Sequence, residues 1–328
     1  MTAAYGADCA PPPATHVADS FDELAFLCRG QLGTALDGSA GFGSLTLTPS
    51  AMADFSGGAA TLSFDVSTRR LSSRDWVQIW VTPFEEVLMA PWFDGVDLTG
   101  PAKRAIVVEI GGNTGDTKVG LKVVRDHVAE DVEGPYAGPL EQLAGPDRDA
   151  LVRFELRMTR DHLKLSLPGL GRTLYDADLT TPLKWDAGVV QFLQASYTPF
   201  KDCTTPGCGP NTWSWDNIRI APARPFTIVK ATEMSVSAPT SKLTFEAPAP
   251  AGAFLRFLAY ARSIEISTDG GRTFRRPDEA PQAPENGHAR SYDTPVPTGT
   301  REVLLRVREI DGNHPWVLQG ASLWARGG

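Results

Sequence analysis

The feature that most constrains this chain is a recurring run of apolar residues with a period of two, of strand length and broken by Gly, Pro, Asp or Asn. Successive side chains of a strand point to opposite faces, so such alternation buries one face and wets the other. Leu62, Phe64 and Val66 alternate with Thr61, Ser63 and Asp65, and Val77, Ile79 and Val81 with Trp76, Gln78 and Trp80. Val152, Phe154, Leu156 and Met158 alternate with Arg153, Glu155 and Arg157, and Leu163, Leu165 and Leu167 with His162, Lys164 and Ser166. Further runs occur at Ala105–Ile110, Val119–Val124, Val189–Tyr197 and Trp213–Ile220, whereas only Phe21–Leu27 reads as a turn or two of helix. Short strands with turn signals between them predict an all-β antiparallel sandwich.

A chain of 328 residues is long enough for two cores. Ala221–Pro225 (APARP) ends the first pattern and reads as a short, stiff linker. Beyond it, short strands at Leu243–Phe245, Leu255–Leu258, Ile264–Ser267 and Val303–Val307 fit a smaller immunoglobulin-like sandwich. The expected division is therefore 1–222 and 223–328, with Glu279–His288 a polar, proline-containing loop in the second part. With 31 basic and 39 acidic residues, the net charge of -8 gives no general attraction for phosphate backbones and argues against nucleic acid as a partner. No apolar run is long enough for a membrane-spanning helix.

The four cysteines fall in two local groups, Cys9 with Cys28 and Cys203 with Cys208. Cys203 and Cys208 reach only the upper end of the usual zinc spacing, and no histidine accompanies them. Two local disulfides, Cys9–Cys28 and Cys203–Cys208, are the preferred pairing, although sequence does not settle connectivity. Closing the first loop would stabilise by about 3 kcal/mol. Disulfides imply a secreted or cell-surface protein. MTAAYGADCAPPPATH has neither the basic nor the apolar region of a signal peptide, so Met1 reads as a start placed before a mature N-terminus. The alternative is a cytosolic protein with four free thiols.

Four stretches carry a family resemblance: VADSFDELA, the hairpin VRFELRMTRDHLKLSLPGLGRTLYDADL, WDAGVVQFLQASYTP and the closing TWSWDNIRIAP. In this order they resemble the concanavalin A-like, laminin G-like jelly roll, a fold that hosts lectins, glycoside hydrolases, polysaccharide lyases and structural modules. The glucanases of that group place carboxylates in a Glu-x-Asp-x-x-Glu strand, which is absent here; Glu85 and Glu86 are adjacent and would face opposite ways on a strand. The lyases use a Gln-Ile-His strand and a later Lys and Tyr. Gln78-Ile79-Trp80 puts a tryptophan where the histidine base belongs, and Gln194 stands in the place of the lysine, three residues before Tyr197. No G-x-S-x-G elbow occurs, and His127 and His162 read as ordinary strand or turn residues.

What remains is an aromatic and polar face. Trp76, Gln78 and Trp80 share one side of a strand whose other side is aliphatic; Gln191, Tyr197, Trp213 and Trp215 are candidates to line the same concave sheet. Indole offers a surface for the C–H face of a sugar, and amides and carboxylates match its hydroxyls. Equally, these tryptophans would serve as core. Glu109 interrupts an apolar run and needs a partner or a groove, which makes it the candidate acid or base of an enzymatic reading. Trp92 and Phe93 of APWFDG form a loop tip or a hydrophobic plug. In many jelly rolls oxygen ligands near the first and last strands hold calcium, and Asp19, Asp216 and Asn217 are the matching residues; the alternative is ordinary strand-end hydrogen bonding. Ser267–Phe274 (STDGGRTF) fits the Asp-box pattern of a tight hairpin, with Asp269 bonding the turn amides and Phe274 anchoring it in the core. The function expected is recognition of an extracellular polysaccharide or glycan, with a polysaccharide-degrading enzyme and a structural surface module as alternatives.

Overall fold

The computed structural model describes residues 26–34, 41–67, 76–87, 102–111, 118–134, 151–197, 215–237, 240–260, 263–278, 290–309 and 317–327. Twenty strands run through them, with two single-turn 3-10 segments at Phe84–Glu86 and Pro168–Leu170. The structure is all β, as the alternation predicted. The chain divides into two compact units: Met1–Phe84, Ala105–Val124 and Ala129–Pro225 form one, and Glu85–Arg104, Arg125–Val128 and Phe226–Gly328 the other.

The first unit contains β1 (Phe26–Thr34), β2 (Gly41–Pro49), β3 (Ala51–Asp54), β4 (Ala60–Ser67), β5 (Trp76–Thr82), β6 (Arg104–Gly111), β7 (Lys118–Arg125), β8 (Val128–Asp131), β9 (Leu151–Met158), β10 (His162–Leu167), β11 (Arg172–Asp178), β12 (Ala187–Tyr197) and β13 (Trp215–Ala221). One sheet has the order β11-β10-β9-β4-β13. The wider sheet runs β1-β2-β12-β5-β6-β7-β8, with β3 also alongside β12. Inward-facing residues of both sheets form one core: Leu62, Phe64, Phe154, Leu156, Leu163 and Leu165 from the first, and Ile79, Val81, Ile106, Val108, Leu121 and Phe192 from the second. Phe64 stacks on Phe154 with centroids 5.3 Å apart and meets Phe192 edge-on at 5.8 Å. Each such ring stabilises by about 1.5–3 kcal/mol on burial. Tyr175 ties the two sheets together at their margin by donating its hydroxyl to Val119 O at 2.7 Å. Burial, with the Asp131 charge adding to it, pushes that phenol's pKa up.

Two expectations are corrected. Residues 221–225 are not a linker: β13 ends at Ala221, and β14 (Ala223–Ser237) starts two residues later, pairing Ala223–Pro225 with β3. An extended, proline-rich pentapeptide has the backbone of a strand, and its free edge is what β3 pairs with. The expected helical turn does not continue through Phe26 and Leu27, which begin β1.

In the second unit the rest of β14 joins β15 (Thr240–Phe245), β16 (Phe254–Tyr260), β17 (Ser263–Ser267), β18 (Arg290–Pro295), β19 (Glu302–Glu309) and β20 (Val317–Arg326). Phe226–Lys230 of β14 pairs with β20 and Ala231–Ser237 with β15, so β14 serves both a β18-β16-β20-β14 sheet and a β14-β15-β19-β17 sheet. Leu243, Phe245, Leu255, Phe257, Ile266, Val303, Leu305 and Leu323 fill the core. The segment 275–278 caps the two free edges, Arg275 pairing with Ile266 of β17 and Asp278 O accepting from Asp293 N of β18. Covering edge strands in this way blocks pairing with other chains.

The Ser267–Phe274 hairpin closes through its side chains. Asp269 accepts from Thr273 N at 3.0 Å and from Thr273 Oγ1 at 2.6 Å, and Ser267 Oγ accepts from Gly271 N at 2.9 Å. Gly270 and Gly271 sit at φ 73° and 87°, where a side chain would strain the turn. The two Thr273 bonds, helped by Ser267 Oγ donating to Asp269 Oδ1 at 2.8 Å, hold the Asp269 carboxyl well below the usual carboxylate range. Phe274 is not in the core. Its ring lies under the Arg306 guanidinium, 3.8 Å from the centroid, because the hairpin folds onto the outer face of β19.

Candidate functional site

The alternation in β5 sends Ile79 and Val81 into the core and Gln78 and Trp80 to the opposite, outer face of the wider sheet. Gln191 joins them from β12, directly across from Trp80, and Glu109 from β6, directly across from Gln78. Lys122, in the polar phase of β7, completes the group. Trp80 Nε1 donates to Gln78 Oε1 at 3.1 Å. Glu109 accepts from Lys122 Nζ at 2.8 Å, and Gly120 stands beside Glu109 without a side chain.

Accessibility is uneven across this face. Gln78, Trp80 and Gln191 are 1%, 0% and 2% exposed, so the Trp80 ring is not an open platform. Glu109 and Lys122 keep 17% and 24% of their side chains in water and form the open end of the face. Trp76 and Tyr197 lie on β5 and β12, but their side chains fall outside the described residues, as does that of Trp215; Trp213, Trp92 and Phe93 lie outside them altogether. Lys122 escaped the sequence reading. The signal was present: Ala105–Ile110 and Val119–Val124 are apolar runs interrupted at a polar-phase position, one by an acid and one by a base.

Glu109 has the partner that its position demanded. Its neighbours across the sheet are the Lys122 ammonium, the Gln78 amide and Gly120, so the contact it makes is an ion pair, whereas glycoside hydrolysis uses a pair of carboxyl groups. Glu85 and Glu86 lie in a 3-10 turn, not a strand, and pair with Arg326 and Arg104. The His162 ring is held between Asp178 Oδ1 at 2.8 Å and Asp176 Oδ1 at 2.9 Å, while Thr159 Oγ1 bonds its backbone and not the ring. His127 sits in the β7–β8 turn at φ 68°.

Of the residues matched to calcium, Asp19 and the Asp216 side chain fall outside the described residues. Asn217 occupies a β13 bulge at φ 49° and donates Nδ2 to Asp65 Oδ2 at 2.7 Å. Arg153 takes both Asp65 oxygens, at 2.6 and 2.9 Å. Burial raises the Asp65 pKa, but the Arg153 and Asn217 hydrogen bonds and the Arg153 charge outweigh it and leave the carboxyl below its usual value. The carboxylate there is thus neutralised by a guanidinium. Among the described residues no three His, Cys, Asp or Glu side chains are grouped to hold a metal ion. Cys9, Cys203, Cys208 and the Cys28 side chain also lie outside the described residues.

No protein-family model matches the chain, and no curated protein matches it in sequence. Solved structures similar to it include a protein of unknown function with a galectin-like fold from Bacillus subtilis, at 11% identity over 60% of this chain and 88% of that one, with a TM-score of 0.37. The VIP36 exoplasmic/lumenal domain, in its Ca2+/Man3GlcNAc-bound form, matches at 14% identity over 63% and 86% of the two chains, with a TM-score of 0.35. The carbohydrate-binding module CBM66 from Bacillus subtilis matches at 13% identity over 52% and 91%, with a TM-score of 0.31. Scores this low assign no ligand to this chain. Among the described residues no helix is long and apolar enough to cross a membrane.

Proposed function

We propose that the first unit recognises an extracellular glycan on the outer face of its wider sheet, at the end marked by Glu109 and Lys122. The supporting observation is the Glu109–Lys122 pair, partly open to water at the end of a buried row of hydrogen-bonding side chains, Gln78, Gln191 and the Trp80 N–H. A carboxylate and an ammonium 2.8 Å apart offer an acceptor and donors to neighbouring sugar hydroxyls. The Trp80–Gln78 hydrogen bond fixes the amide beside them. Calcium held near Asp19, Asp216 and Asn217, two local disulfides and an exported location belong to the same proposal.

The test is retention of the full chain on a panel of polysaccharides, scored also for released reducing or unsaturated ends. Retention without product, weakened in Lys122→Ala, is the expected result. Product formation would transfer the role to an enzyme, and Glu109→Gln would then be the variant to assay. Silence on every polysaccharide would leave a structural surface module.

A further inference from the structure

From the Glu109–Lys122 pair we infer which glycans this face accepts: neutral sugars, to the exclusion of uronates and sulfated sugars. The inference rests on the glycan-binding reading and adds its charge specificity. Lys122 Nζ is committed to Glu109 at 2.8 Å, so the open end of the face presents a neutral pair rather than a free cation. Behind the pair, the buried polar groups Gln78, Gln191 and the Trp80 N–H are uncharged. Arg224, on the neighbouring β14, is engaged by Asp54 at 2.9 and 3.0 Å.

A sugar hydroxyl can donate to Glu109 while another accepts from Lys122, and the ion pair survives. An anionic sugar meets the Glu109 carboxylate first. Because that carboxylate is mostly buried, water screens the repulsion poorly. To reach Lys122 the anion would have to displace Glu109 and leave it partly desolvated without its partner. Glu109 is thus a specificity determinant acting by exclusion, and removing its charge while keeping its shape turns the site into a cation.

The experiment compares the full chain with Glu109→Gln and Lys122→Met on neutral glucan, mannan and fructan and on alginate, pectate and a sulfated galactan, at about 20 and about 300 mM salt. The wild type is expected to hold a neutral polysaccharide with no salt dependence and the anionic ones at least about tenfold more weakly. Glu109→Gln is expected to gain about tenfold on the anionic set at low salt and to lose that gain at high salt. Lys122→Met removes a donor that both sets use and leaves Glu109 without its partner, so it is expected to weaken the anionic set more than the neutral one; an equal loss on both would overturn the inference. Salt-sensitive wild-type retention of an anionic polysaccharide, or an unchanged neutral-to-anionic ratio in Glu109→Gln, overturns the inference while leaving glycan binding intact. Failure to retain any polysaccharide overturns the glycan reading and the inference with it.

Discussion

Two glycines of the first unit test its packing because the same substitution has opposite consequences at each. A Cβ placed on Gly188 of β12 would lie 2.7 Å from Val81 Cγ1, 2.8 Å from Trp185 Cζ3 and 3.2 Å from Thr82 N. Carbon atoms in a well-packed core sit about 3.5–4.0 Å apart, so the neighbours must move. Val81 is a core residue of β5, Trp185 is locked edge-on against Phe55 at 5.3 Å, and Thr82 N is backbone. Such overpacking costs about 1–3 kcal/mol. Replacing glycine also removes unfolded-state freedom, which stabilises by about 0.4–1 kcal/mol. Gly188→Ala is therefore expected to lose about 1–2 kcal/mol net, or about 2–8 °C of melting temperature at this size. At Gly57 an added Cβ meets nothing within 4 Å, so Gly57→Ala keeps only the favourable part and gains about 0.4–1 kcal/mol. Thermal and urea unfolding measure both, with hydrogen exchange of the β5 and β12 amides assigning the transition to this unit. A Gly188→Ala protein at least as stable as the wild type, or a larger loss at Gly57 than at Gly188, would refute the packing argument.

In the second unit Arg256 is 1% exposed, bonds Asp293 Oδ2 at 2.9 and 3.1 Å and lies over the Trp324 ring. Asp293→Asn strands that buried cation and is expected to cost about 3–5 kcal/mol in urea unfolding, with Arg256→Met added to it recovering most of the loss. Asp65 stabilises in the opposite pH sense to Asp293. Because its folded pKa is depressed, its contribution is present above the ordinary carboxylate range and is lost as pH falls through the folded value. The stability difference between wild type and Asp65→Asn is therefore expected to shrink on titration from neutral pH to about 3, and a difference that grows would refute the assignment. Burial pushes the Asp293 pKa up, so its contribution grows less favourable as pH rises through that value. Calcium at millimolar concentration is expected to raise the melting temperature, and Asp216→Asn to abolish the shift; equal melting curves with calcium and with chelator would reject a site there.

The alternating runs determined the core of the first unit residue by residue. Leu62, Phe64, Phe154, Leu156, Leu163, Leu165, Ile79 and Val81 all face inward, because a period of two leaves a strand only one way to bury its apolar side. The turn chemistry of residues 267–273 was equally local and equally legible. What failed were features that depend on a partner distant in sequence. Residues 223–225 looked like a linker because their conformation is extended either way, and only the edge of β3 makes them a strand. Phe274 looked like a core anchor because its residue type is apolar, and only the position of β19 puts it under Arg306.

The candidate site divides along the same line. Sequence placed Gln78 and Trp80 on one face and marked Glu109 as a carboxylate in need of a partner. That the partner is Lys122, that Gln191 stands across from Trp80, and that the tryptophan is fully buried while the ion pair keeps partial access to water, follow from strand order and register. Alternation is a property of a single strand, whereas adjacency across a sheet and access to water depend on which strands become neighbours and what covers them.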